Sequence, residues 1–127
     1  MSQSTREREQ VLIEYYRAAD SGHIDLMTRG LDPDIEVIFG NEPPVRGSDR
    51  LVELAQGTTT KLQRARHLVR SFYHDLGAAH VIVELNVEFH RLDGRVVTIP
   101  AMSVIHFNAD DLIDQMRIYA DLTPVWT

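Results

Sequence analysis

The fold is decided by one stretch of sequence, His80-Val81-Ile82-Val83-Glu84-Leu85-Asn86-Val87-Glu88-Phe89-His90-Arg91. Apolar and polar residues alternate along it, which predicts a β-strand, because successive side chains leave a pleated backbone on opposite sides. The open question is whether the polar row faces solvent, as in an ordinary amphipathic sheet, or a cavity, where it would be suited to chemistry. The apolar row contains Val81, Val83, Leu85, Val87 and Phe89, and the polar row contains Glu84, Asn86, Glu88 and His90.

Helical spacing of apolar residues precedes this strand and predicts three N-terminal helices. Ser21-Gly22 ends the first helix, because glycine tolerates the left-handed conformation of a helix cap. Ser48 caps the third. The helices are predicted over Arg6–Asp20, Ile24–Leu31 and Ser48–Gly57.

The remainder of the chain predicts an antiparallel sheet. Asp93-Gly94 is typical of a hairpin turn, because the turn requires positive φ angles. Helices followed by consecutive strands predict an α+β fold, a single domain over residues 1–127. We expect a cone-shaped α+β barrel, with three helices packed in a strongly curved sheet and a small ligand at its mouth. The strands are predicted over Ile35–Phe39, His67–His74, His80–Arg91, Val96–Phe107 and Leu112–Asp121.

Composition excludes several classes of function. The chain has no cysteine, so disulfides and thiolate metal sites are excluded. Its net charge is −6 and its 13 basic residues are dispersed, so nucleic acid is not an expected partner. No apolar run approaches transmembrane length, and residues 1–7 lack the apolar core of a signal peptide. We therefore expect a cytoplasmic protein that does not enter membranes.

Several motifs resemble the nuclear-transport-factor-like superfamily, which includes ketosteroid isomerase and the SnoaL-like polyketide cyclases. The first helix contributes Tyr-Tyr-x-Ala-x-x-Ser-Gly from Tyr15. The resemblance is closest to the limonene-epoxide hydrolase family. It is carried by three stretches, Phe39–Gly47, Ile99–Val104 and Arg117–Asp121.

The resemblance implies a set of site positions, of which many are replaced here. Asn41 matches an Asn that holds the attacking water in the hydrolases. The position of their water-holding Tyr is occupied here by Phe39, and the position of their base is occupied by Ile118. Their Arg-x-Asp motif corresponds to Asn86 and Glu88, which the resemblance places facing the pocket. The ketosteroid isomerase base also falls at Phe39, its acidic oxyanion donor falls near Ser103, and its first-helix Tyr is retained as Tyr15. We accordingly expect Tyr15, Phe39, Ser103, Met116 and Ile118 to bind substrate.

Glu88 is the residue expected to carry catalysis. A carboxyl group in an apolar pocket has a raised pKa, so it could donate or accept a proton near neutral pH. Asn86 beside it could donate to a developing oxyanion. The alternative is that Glu88 pairs with an arginine on a solvated sheet face, for which the candidates are Arg70, Arg91 and Arg117.

For the other polar residues the sequence allows a structural role as well as a functional one. Asn41 could orient a water or a substrate oxygen, or could be a turn residue that bonds its own backbone. Tyr15 is more often a core residue with its hydroxyl at the rim. His67 and His90 are expected to be structural or exposed, and no metal site is supported. Asp121 matches a base of the SnoaL-like cyclases, but strand parity places it opposite Ile118, so we expect it to be structural.

The sequence therefore leaves two functions open. The first is a cofactor-independent enzyme of isomerase, dehydratase or cyclase type, possible epoxide opening included, that acts on a hydrophobic oxygenated small molecule through Glu88. The second is a non-catalytic binding or interaction module of the same fold. If Glu88 faces the pocket, the row from Val83 to Phe89 faces outward, and such an apolar surface predicts a homodimer built on the outer sheet face.

Overall fold

A computed structural model describes residues 3–58 and 62–127; residues 1, 2 and 59–61, which include the start of the polar N-terminal segment, lie outside the described residues. The predicted helices and strands follow each other along the chain in the predicted order, and the structure adds a two-residue strand and a four-residue C-terminal helix. The helices are α1 (Gln3–Ser21), α2 (Ile24–Thr28), α3 (Ser48–Thr58) and α4 (Thr123–Trp126). The strands are β1 (Leu31–Phe39), β2 (Val45–Arg46), β3 (Leu62–Asp75), β4 (His80–Arg91), β5 (Val96–Phe107) and β6 (Ile113–Ala120).

The six strands form one curved sheet in the order β2-β1-β6-β5-β4-β3. The neighbouring pairs are antiparallel, as predicted, except that β1 runs parallel to β6. The sheet is open rather than a closed barrel, with β2 and β3 at its two edges. The predicted α+β fold with helices against a curved sheet is confirmed.

Two elements differ from the predicted bounds near Pro33. α2 ends at Thr28, and β1 begins at Leu31 and runs through the Asp-Pro-Asp segment that was expected to break the chain. Pro33 is tolerated because the register with β6 shifts between Leu31 and Glu36, so its position carries no ladder partner on β6. A proline at an irregularity of this kind costs no backbone hydrogen bond.

The apolar row of β4 faces the helices, which corrects the predicted orientation. Val81, Val83, Leu85 and Val87 are 0%, 0%, 2% and 4% exposed. The expectation that this row faces outward is wrong, because the helices cover this side of the sheet and the core is built between them. We call the helix-covered side the inner face and the opposite side the outer face.

Helix α1 supplies the other half of the core. Leu12 is fully buried and Tyr16 and Ala18 are nearly so, as expected of one apolar helix face. A polar contact also joins α1 to β3, where His74 Nε2 lies 2.6 Å from Glu9 Oε2. Among the described residues, no helix has the length and apolar character needed to cross a membrane.

Candidate active site

A cavity of about 750 Å³ lies between the helices and the inner face of the sheet. We call it the cone cavity. Its mouth is formed by the exposed loop after β1 and the first turn of α3, which contribute Glu42, Pro43 and Arg50. Its wall is mostly apolar, and the polar groups deeper in the wall are Tyr15, Tyr16, His67 and Ser103. A mostly apolar cavity with a few polar groups is typical of a site for a small organic molecule.

The five residues predicted to bind substrate all lie in this wall, although their role stays a prediction. Ser103 and Met116 are 3% and 2% exposed, and they come from β5 and β6. The strand parity inferred for β6 is confirmed, because Met116, Ile118 and Ala120 line the cavity together. The predicted set is Tyr15, Phe39, Ser103, Met116 and Ile118.

The three residues predicted to be catalytic do not line the cavity. Glu88 and Asn86 lie on the outer face, because the pleat that sends Val87 inward sends its neighbours outward. The expectation that they face the pocket is wrong. Asn41 is exposed in the turn after β1, while the next residue, Glu42, reaches the cavity.

Glu88 has a different partner from the arginines considered for it. Its Oε1 lies 3.4 Å from His90 Nε2 on the same outer face. Arg70 pairs with Glu84 at 3.9 Å, and Arg91 pairs with Asp93 at 3.0 Å. Glu88 is therefore part of a partly solvated surface, as in the alternative interpretation of the polar row.

His67 lines the cavity, and it is paired with Asp20, which is not a wall residue; sequence reasoning missed this pair. Asp20, at the end of α1, accepts two hydrogen bonds from His67 on β3. Its Oδ2 is 2.7 Å from the His67 backbone nitrogen, and its Oδ1 is 2.5 Å from His67 Nδ1. A carboxylate partner at Nδ1 favours the tautomer with the proton there, which leaves Nε2 as an acceptor.

Two tyrosines of α1 adjoin this pair. The ring of Tyr16 stacks on the His67 ring, with 5.1 Å between centroids, and its hydroxyl is hydrogen-bonded to Ser103. Burial raises the pKa of Tyr16 to about 12, and burial, followed by the charges of Tyr16 and Asp20, raises the pKa of Tyr15 further. Both phenols therefore keep their protons near neutral pH.

Asp121 is separate from the cavity wall, as strand parity predicted. It is exposed, and its Oδ1 accepts a hydrogen bond from the backbone nitrogen of Thr123 at 2.9 Å. Hydrogen bonding with Thr123 holds the pKa of this carboxyl group below its ordinary value. These contacts are those of a turn residue at the start of α4.

One signal in the sequence pointed to His67. β3 places Ala65, His67 and Val69 opposite the inward residues Phe89, Val87 and Leu85 of β4. His67 is thus a single polar residue within an inward apolar row, which places one polar group in the apolar cavity wall. Its partner Asp20 is 47 residues away in sequence, so no local pattern could indicate the pair.

Comparisons with known proteins agree with the fold. A protein from Jannaschia sp. CCS1 assigned to the SnoaL-like polyketide cyclases superposes with a TM-score of 0.85 at 18% identity, covering 100% of this chain and 94% of that one. The epoxide hydrolase/cyclase-like enzyme SalBIII, of pyran ring formation in salinomycin, gives 0.81 at 18% identity, covering 96% of each chain. TerC, co-crystallised with polyporic acid, gives 0.82 at 18% identity, covering 94% and 95%.

These identities show a shared fold and not a shared reaction. A comparison with curated protein sequences gives no significant match. The model of the SnoaL-like domain matches residues 12–116, which span α1 to β6 and contain both Asp20 and His67. The chain therefore belongs to the SnoaL-like domain family.

Proposed function

We propose that the chain is a cofactor-independent enzyme that transfers a proton on a hydrophobic, oxygenated small molecule bound in the cone cavity. His67 is the general acid/base, and Asp20 orients it. The reaction is of isomerase, dehydratase or cyclase type. The observation that carries this proposal is that His67, which lines a largely apolar cavity, is held by the carboxylate of Asp20.

Histidine suits this role because one ring nitrogen of an imidazole can accept a proton from a substrate and return it. Asp20 holds both the ring and the backbone of His67, so the imidazole is fixed relative to the cavity. A fixed base spends little free energy on orientation when the substrate binds. The same ring can return the proton to another atom of the substrate, as isomerisation and dehydration both require.

The phenols supply the complementary group. Tyr15 and Tyr16 retain their protons because their pKa values are raised, so either hydroxyl could donate to a substrate oxygen on which negative charge develops. Ser103 shares a hydrogen bond with Tyr16 and extends this polar site. The apolar side chains of Phe39, Met116 and Ile118 would contact the hydrocarbon part of the substrate.

Net hydrolysis of an epoxide fits this arrangement less well. The resemblance to limonene-epoxide hydrolases places their water-activating base at Ile118, an apolar residue in the cavity wall. Loss of a general base typically lowers the rate by about a hundredfold or more. We therefore propose a reaction with one proton relay. We also propose that the chain is related most closely to the limonene-epoxide hydrolases in sequence, without sharing their hydrolytic reaction.

The proposal is tested with a generic proton-transfer probe, 5-nitrobenzisoxazole. Removal of its C–H proton breaks the N–O bond and releases a coloured phenolate. His67→Gln should lower the protein-catalysed rate by about 10²–10⁴-fold. Glu88→Gln and His90→Gln, which change the outer-face pair, should leave the rate unchanged. A wild-type rate in His67→Gln, or a large loss in Glu88→Gln, would reject His67 as the base.

A non-catalytic binding module is the second candidate, and the mostly apolar wall of the cavity favours it. Such a module would bind the neutral dye N-phenyl-1-naphthylamine but would not accelerate opening of 5-nitrobenzisoxazole beyond the solvent rate. The enzyme proposal requires both binding and acceleration. The two candidates are therefore separated by one dye titration and one absorbance assay on the wild-type chain.

We also propose that the chain forms a homodimer through its outer face. Met102 and Tyr119 are cross-strand partners there and are 40% and 50% exposed, so they leave apolar surface uncovered. Sedimentation should give twice the chain mass, and Tyr119→Glu should give the monomer mass. Leu76→Glu, in the β3–β4 turn, should leave the dimer intact. A monomeric wild type would reject the proposal.

A cytoplasmic location completes the proposal, in line with the absence of cysteine from the sequence. Cell fractionation of the natural source should place the protein with cytoplasmic markers. Recovery with membranes or in the medium would contradict this location.

A further inference from the structure

A second, open concavity of about 540 Å³ lies on the outer face of the sheet, across β1, β6, β5 and β4. It shares no lining residue with the cone cavity. Two histidines line it, His80 of β4 and His106 of β5. They lie directly opposite each other in the register of the two strands, and their ring centroids are 5.1 Å apart. We call these two residues the histidine pair.

A β-bulge in β6 aims a carboxylate at this pair. Gln115 lies opposite His106 and Ile113 lies opposite Phe107, so Asp114 is an extra residue with no partner on β5. A bulge redirects the side chain of such a residue, and bulges are common beside functional sites. Asp114 Oδ1 lies 2.5 Å from His106 Nδ1. This carboxylate favours the tautomer with the proton on Nδ1, which leaves the lone pair of Nε2 available.

The contact between Asp114 and His106 is the one that a metal-binding histidine makes. A histidine that binds a metal through one ring nitrogen generally donates its other N–H to a carboxylate or carbonyl, which fixes the ring and makes the ligand more basic. With metal–nitrogen distances of about 2.0–2.1 Å, two imidazoles at adjacent positions of one ion have ring centres about 4.5–5.2 Å apart. The 5.1 Å separation in the histidine pair falls in this range.

The charges around the histidine pair favour a cation. The concavity is lined by four carboxylates, those of Asp32, Asp34, Glu36 and Asp114, and by one guanidinium, that of Arg46. Within residues 3–58 and 62–127, no group of three or more His, Asp or Glu side chains is placed to hold a metal ion. The protein therefore offers two imidazole ligands, and the carboxylates act through their charge.

We propose that the histidine pair binds a divalent first-row transition-metal ion, such as Zn²⁺ or Cu²⁺, through one ring nitrogen of each residue. Water completes the coordination, and Asp114 is a positioning residue that holds the His106 ring. Imidazole suits Zn²⁺, Cu²⁺ and Ni²⁺, whereas Mg²⁺ and Ca²⁺ take oxygen ligands. This site is independent of the proposed reaction, because it lies on the other side of the sheet from the cone cavity.

The test is calorimetric titration of the tag-free chain with ZnCl₂ and, separately, with MgCl₂. We expect wild type to bind one Zn²⁺ per chain and to give no saturable binding of Mg²⁺. His80→Gln and His106→Gln should each weaken Zn²⁺ binding at least about a hundredfold, because each removes one of two ligands, and Asp114→Asn should weaken it by about 10–100-fold. His90→Gln, which changes the other histidine–carboxylate pair of the outer face, should bind Zn²⁺ as wild type does.

Thermal unfolding provides the second measurement. Both histidines are partly exposed, so the midpoints of their variants in EDTA should match that of wild type. Zn²⁺ should raise the midpoint of wild type, and both variants should lose this rise.

Three results would overturn the site: no saturable binding of Zn²⁺ by wild type, wild-type affinity in His80→Gln or His106→Gln, or equal binding of Mg²⁺, which would show that the carboxylates alone attract cations. One Zn²⁺ for every two chains would also overturn it, since the ion would then lie between copies. Wild-type affinity in Asp114→Asn alone would reject the positioning role and keep the histidine pair. Retained Zn²⁺ binding in His67→Gln would show that the site does not depend on the proposed base.

Discussion

Asp20 holds His67 with both of its carboxylate oxygens, one on the ring Nδ1 and one on the backbone nitrogen. The contact joins the end of α1 to edge strand β3 and covers a backbone N–H that an edge strand would otherwise expose. The same contact orients the proposed base, so the proposed reaction and the packing of α1 on β3 share one carboxylate.

The first prediction concerns the tautomer of His67. In wild type, two-bond ¹H–¹⁵N spectra should show the neutral ring protonated at Nδ1, because a carboxylate accepts there. Asp20→Asn should lose that preference and lower the rate of 5-nitrobenzisoxazole opening by at least about tenfold, as a wrongly oriented imidazole does. An unchanged tautomer together with an unchanged rate would contradict the orienting role.

The second prediction tests which row of the sheet faces the cavity. Ala101→Phe should fill the cavity from β5 and weaken binding of N-phenyl-1-naphthylamine at least tenfold, at a stability cost of about 1–3 kcal/mol. Met102→Phe changes the next residue, which is 40% exposed on the outer face, and should leave dye binding unchanged. Weaker binding in Met102→Phe alone would reverse the assignment of the two faces.

The third prediction is a loss of stability at alkaline pH. Burial raises the pKa of Tyr16 from 10.0 to about 12 in the folded state. Above pH 10 the unfolded chain releases this proton and the folded chain keeps it, so unfolding becomes more favourable as pH rises. Between pH 9 and 11.5 this contribution should remove on the order of 2 kcal/mol from the free energy of unfolding.

Urea unfolding at both pH values measures this change. Tyr16→Phe should show a smaller alkaline loss than wild type, although it is less stable at pH 9 because Ser103 loses its hydrogen-bond partner. Tyr73→Phe, which removes a half-exposed hydroxyl, is the control and should keep the wild-type loss. An alkaline loss that is the same in Tyr16→Phe and wild type would contradict the burial of this phenol.

The fourth prediction concerns the close approach of α1 to the start of β1. A Cβ added at Gly30 would lie 2.9 Å from Val11 Cγ1, and the Gly30 carbonyl accepts a hydrogen bond from the Ile113 nitrogen. Gly30→Ala should therefore lower the free energy of unfolding by about 1–3 kcal/mol, because neither the backbone nor a short β-branched side chain moves easily.

A double-mutant cycle distinguishes this clash from other effects of the added methyl group. Val11→Ala removes the clashing atom, so Gly30→Ala should cost less in that background. Gly77→Ala is the matched control, since its Cβ would meet Asp75 Oδ1 at an ordinary 3.7 Å. Equal costs in both backgrounds would show that Val11 is not the obstacle.

Much of the fold could be predicted from the local pattern of apolar, polar and turn-forming residues. Alternation predicted β4 as His80–Arg91 and β5 as Val96–Phe107, and both strands have these bounds. The Asp93-Gly94 turn has the positive φ that glycine allows, 89° at Gly94. These features are local, because pleat, helical period and turn conformation depend on residues a few positions apart.

The functional site could be predicted from the sequence only in part. The five predicted wall residues lie around the cone cavity, but Glu88 and Asn86 were given the wrong face. The resemblance matches them to the Arg-x-Asp motif of the hydrolases, and a displacement of one residue in such a match reverses every side chain of a strand. The buried row of β4 was the simpler indicator of the inner face.

The sequence by itself determined the identity of the elements, because each depends on neighbouring residues. Only the tertiary structure decided which side of the sheet the helices cover and which distant side chains meet there. Asp20 and His67 are joined because α1 crosses the edge strand at that point. Long-range packing of this kind depends on the burial of whole faces, which no short stretch of sequence specifies.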